Sequence, residues 1–85
     1  MKQATTTSEP RELLRWELER ANQHLVCAIE SIPSEKAFDV AMVPLWNVGL
    51  TARECFPSAY DAFTRYATIV AGLREAGWHV RAYTA

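Results

Sequence analysis

Eighty-five residues, 49% of them hydrophobic and 22% charged, suffice for one globular domain and are too apolar for a disordered chain. Nine basic side chains against ten acidic ones give a formal net charge of −1. The balance holds along the chain, with five basic and six acidic groups in residues 1–36 and four of each in residues 37–85. It has neither the basic footprint of a nucleic-acid binder nor the acidic field of a nucleic-acid mimic.

The opening MKQATTTSEP has no apolar stretch of the kind a secretory signal requires, and its first eight residues read as a flexible polar tail ahead of a single domain over 9–85. With two cysteines and no signal, Cys27 and Cys55 are expected as reduced thiols in a cytoplasmic protein.

A helix is expected over about 9–32. Thr7 or Ser8 supplies a cap and Pro10 suits the first turn. At 100° per residue, Leu14, Leu18, Ala21, Leu25, Ala28, Ile29 and Ile32 form one stripe. Pro33 ends it. The stretch FDVAMVPLWNVGLTA follows, with Asp39 its one charge. Its charge-free part, residues 40–52, is too short to span a bilayer, which needs about 20 apolar residues. Alternation of Phe38, Val40 and Met42 with Asp39, Ala41 and Val43 predicts a strand over about 37–43, apolar on both faces. Pro44 ends or bulges it, and 45–50 is a candidate for a further short strand.

Ser58 and Asp61 have the form of a capping box that opens a second helix over about 59–76. Phe63, Tyr66, Val70 and Leu73 are its expected buried stripe, and Gly77 stands where a left-handed cap belongs. WHVRAY then alternates as a strand over 78–83. The expected fold is therefore α+β, two main helices on a two- or three-stranded sheet. The strands at 38–43 and 78–83 would be joined by a crossover through the second helix. The alternative is a mostly α protein of three to four helices, with TARE at 51–54 as another helix start.

No motif fixes a chemistry. His24, Cys27, Cys55 and His79 match the ligand count of a zinc site, but no paired short spacing supports it, and no metal or other cofactor is expected. A Cys55–His79 nucleophilic pair lacks a third group to orient the histidine. Three glycines, none in a glycine-rich turn, exclude a phosphate loop. What remains is surface more apolar than its position requires. On the expected first helix Leu13, Trp16, Arg20, His24 and Cys27 align as a second stripe, and Trp46 sits among the loop-formers Pro44, Asn47 and Gly49. Trp16, Arg20, His24 and Trp46 are the candidate partner-binding residues, tryptophan and arginine being the usual anchors of an interface.

The reading is a non-enzymatic protein–protein interaction module. It would be a regulatory or inhibitory protein of the kind phages and mobile elements encode against a larger complex, or a small assembly subunit. A homodimer through the first helix would bury the second stripe. The alternatives are nucleic-acid binding through the C-terminal strand with Arg65, Arg74 and Arg81, and a small thiol enzyme using Cys55 or Cys27.

Overall fold

The computed structural model describes residues 10–84, so the expected tail at 1–8 lies outside it. Five strands form one antiparallel sheet with a single α-helix across it. In chain order these are β1 (Arg11–Arg20), β2 (Gln23–Ile32), β3 (Ala37–Pro44), β4 (Ala52–Phe56), α1 (Ala59–Glu75) and β5 (His79–Thr84). The strands lie side by side as β4-β3-β2-β1-β5. Single-turn 3-10 segments occupy Pro33–Glu35 and Val48–Leu50.

The largest correction concerns residues 9–32. The expected first helix is a β-hairpin, so the fold is neither two helices on a small sheet nor mostly α. Arg11 to Arg20 pair with Ser31 to Gln23, and Ala21 and Asn22 turn the chain with φ of 50° and 69°. Two successive residues at positive φ make a turn whose twist matches that of paired strands. The helical stripe misled because a spacing of four fits both periods. Leu14 and Leu18 share a face of a helix and of a strand alike. Trp16 breaks the tie: LRWELE alternates strictly, and Leu14, Trp16 and Leu18 pack on the core while Arg15, Glu17 and Glu19 face the other way. Leu13 falls in the register shift between Glu12 and Leu14. A homodimer built on a first helix has no element to form it.

The strand expected at 37–43 stands as β3, and its neighbours are β2 and β4. Residues 45–50 are not a strand. They form the link to β4, whose Ala52–Phe56 pair with Met42 to Phe38. TARE at 51–54 starts no helix. The expected crossover between β3 and β5 is also corrected. β5 pairs with β1 at the far edge, so β4, α1 and β5 carry the chain from one edge of the sheet to the other.

The second helix occupies its expected place. Ser58 Oγ accepts the Asp61 N–H at 3.1 Å, the side-chain half of the capping box. At the other end Gly77 has φ of 98°, its N–H bonds Arg74 O, and the Trp78 N–H bonds Leu73 O. That pair of bonds is the Schellman arrangement, and it delivers Trp78 back onto the core. The helix buries Ala62, Tyr66 and Val70, with Ile69 and Leu73 half-buried. Phe63, expected in that stripe, is exposed. The core lies between α1 and the sheet, with Leu18, Cys27, Ile29 and Val40 from the strands against Ala62, Tyr66 and Val70 from the helix.

Candidate docking surface

Because the strands alternate in direction, three connections gather at one end of the sheet. These are the Ala21–Asn22 turn, the 45–51 link and the Gly77–Trp78 exit from α1. Arg20, the last residue of β1, joins them. Its Nη1 donates to Ala76 O at 2.9 Å, and its guanidinium lies 4.8 Å from the Trp78 ring centroid. Trp46 stacks on the same Trp78, with centroids 6.1 Å apart and planes 16° from parallel. Trp78 is buried, whereas Trp46 is half exposed. The Leu45 N–H bonds His24 O at 2.9 Å, tying the start of the link to β2.

The link is built to hold its shape. Asn47 Oδ1 accepts the Gly49 N–H at 3.2 Å, and Thr51 Oγ1 donates to Val48 O at 2.7 Å. Backbone bonds from Asn47 to Pro44 and from Leu50 to Asn47 close the turns. Held by these bonds, the link turns its apolar side chains outward. Leu45 is 46% exposed, Trp46 49%, Val48 63% and Leu50 64%. Four large apolar residues so exposed within six positions form a patch of the kind that marks a contact site.

The four expected contact residues separate. Arg20 and Trp46 meet through Trp78. Trp16 is a core-side residue, edge-on to Tyr66 at 6.2 Å and tilted against Tyr83 at 6.0 Å, and it does not stack on Arg20. His24 lies on the opposite sheet face, with Nδ1 3.3 Å from Glu17 and Nε2 3.9 Å from Glu19. The ladder that grouped Trp16, Arg20 and His24 assumed a helix. In the hairpin His24 pairs with Glu19 and so shares the face of Glu19, while Trp16 and Arg20, on the other face, lie about 13 Å apart along β1. Trp78, Leu45, Val48 and Leu50 were not among the expected contacts. For the last three the signal lay in LWNVGL itself, a run dense in large apolar residues with loop-formers and no charge. For Trp78 it lay only in the fold.

Compared with family models, curated proteins and solved structures, the chain matches none. The residues suggested for zinc are dispersed. Cys27 is buried in the helix-side core, His24 lies on the other face, and Cys55 and His79 lie on opposite edge strands. Among the described residues no group of three or more potential ligands could hold a metal ion. The same edges separate Cys55 from His79 as a catalytic pair. Burial pushes the Cys27 thiol up to about 11, and desolvation followed by the neighbouring Asp39 raises that of Cys55, so neither is poised as a thiolate. Of the arginines suggested for nucleic acid, Arg65 pairs with Glu54 and Arg81 with Glu19, both at 2.8 Å. Among the described residues no helix is long and apolar enough to cross a membrane.

Proposed function

We propose that this chain is a protein-docking module without a catalytic centre of its own, acting as a small regulatory or inhibitory protein on a larger complex or as an assembly subunit. The observation that carries the reading is the 45–50 link. Its turns are closed by hydrogen bonds from the Asn47, Gly49, Leu50 and Thr51 N–H groups, its apolar side chains are exposed, and its tryptophan is held by stacking before any partner arrives. Preorganisation of this kind lowers the entropic cost of association, and a central tryptophan flanked by aliphatic residues has the composition of a hot spot. Arg20 acts by clamping Trp78 from the side of Ala76, so it supports the anchor.

The test is a tagged pull-down from the native host's lysate at low and high salt, run in parallel with Trp46→Ala and Leu50→Ser. A stoichiometric protein retained at high salt by the wild type and lost by both variants supports the reading. Retention of nucleic acid alone, released as salt rises, would sink it and favour binding through the C-terminal strand with Arg74.

A further inference from the structure

Five strands span about 19 Å between outer strand axes, and one helix is about 10 Å across. α1 rests on β2, β3 and β4. The helix side of β1 and β5 is left as a trough. Its floor is Leu14 and Trp16, its wall is Phe63, Ala67, Ala71 and Arg74 of α1, and this part encloses about 340 Å³. Beyond Arg74 it opens into a second hollow of about 620 Å³ bordered by Trp78, His79 and Val80.

We propose that this trough seats an amphipathic helix of a partner protein. The partner's apolar residues, spaced i, i+3 or i+4, i+7, pack on Leu14, Trp16 and the alanine wall, and its carboxylate meets Arg74. This inference rests on the docking-module reading and supplies the chemistry of the partner. Three observations select that occupant. No element of the described chain covers the helix side of β1 and β5, and a helix beside α1 would extend the second layer over those two strands. Ala67 and Ala71 are exposed and small, which permits helix axes to approach to about 8 Å. Arg74, like Arg11 and Arg20, makes no ion pair among the described residues, whereas Arg15, Arg53, Arg65 and Arg81 each have a carboxylate within 4 Å. Of the three, only Arg74 lines this trough. Glu75, its neighbour in the chain, also borders the second hollow but makes no ion pair with Arg74.

Other occupants fit less well. The residues ahead of Pro10, MKQATTTSE, offer one large apolar side chain, Met1. A second copy that inserts its helix into this trough and receives α1 in return requires a two-fold axis along the helices. That symmetry sets Arg74 against its own copy.

The test is an unbiased display library of 16-residue peptides selected on the full chain, with the bound site mapped by amide shift perturbation. Selected peptides should be helical when bound, share the apolar spacing with an acidic residue, and perturb Trp16, Ala67 and Ala71. Arg74→Glu should weaken them at least tenfold, and replacing the peptide's acid with lysine should restore binding to that variant. Ala71→Arg should block them. Both substitutions are at exposed positions, and unchanged melting temperatures would confirm intact folding. Peptides that bind extended, that show no acid preference, or that perturb only 45–50 would overturn the helix seat, as would a library yielding no binder. In the lysate experiment, a partner lost with Trp46→Ala but retained by Ala71→Arg leaves the docking module standing and removes the seat.

Discussion

The Tyr66 hydroxyl donates a 2.8 Å hydrogen bond to the backbone carbonyl of Cys27, joining the middle of α1 to the central strand of the sheet. Both residues are buried, and this is the one buried side-chain hydrogen bond among the described residues. Apart from the exposed Arg65–Glu54 pair at the β4 edge, the other contacts between helix and sheet are apolar packing, which sets distance more firmly than register. The bond therefore fixes where along β2 the helix sits.

Tyr66→Phe should cost about 1–2 kcal/mol, because it removes the donor from a buried carbonyl while leaving the ring packing in place. Denaturant unfolding of the two proteins measures this. A loss below a few tenths would show that the bond does not restrain the helix.

Alkaline pH should loosen the same contact. Burial raises the Cys27 thiol to about 11, and burial likewise raises the Tyr66 phenol. Each group binds its proton more tightly folded than unfolded, so the stability it contributes is complete below its unfolded pKa. For Cys27 it is lost as pH climbs from about 8.5 toward about 11. Unfolding free energy measured from pH 8 to pH 11 should fall more steeply in the wild type than in Cys27→Ala.

Gly77→Ala should destabilise the fold by about 1 kcal/mol, since φ of 98° is a conformation that L residues rarely adopt. Ala21 is in the reverse situation, an alanine held at φ of 50°, and Ala21→Gly should stabilise by up to about 1 kcal/mol. Paired thermal melts give both signs. Trp78 follows Gly77, so the glycine variant should also alter near-ultraviolet circular dichroism from the Trp46–Trp78 stack.

Trp16 and Trp46 should respond oppositely to truncation. Trp16→Ala opens the packing beside Tyr66 and should cost about 3 kcal/mol in stability. Trp46→Ala removes a half-exposed ring and should cost about 1 kcal/mol, yet weaken partner binding by about 2 kcal/mol or more. Equal losses of stability in the two variants would place Trp46 in the core and remove the basis for docking through the link.

The sequence by itself determined the elements whose signals are local. Ser58 with Asp61 and Gly77 bracket α1, because a cap needs only neighbouring backbone groups. β3 was legible in its alternation, and LWNVGL stood out as a charge-free run of large apolar residues. The hairpin at 11–32 was decided only in three dimensions. RELLRWELER favours a helix residue by residue, but a lone helix there would leave one edge of β3 and the whole of β5 without ladder partners, and satisfying those backbone groups outweighs a propensity of a few tenths of a kcal/mol per residue. The docking surface shows the same division. Trp46 was conspicuous in the chain, but its pairing with Trp78 and Arg20 brings together residues 32 and 26 positions away. Only the strand order places those three at one end of the sheet.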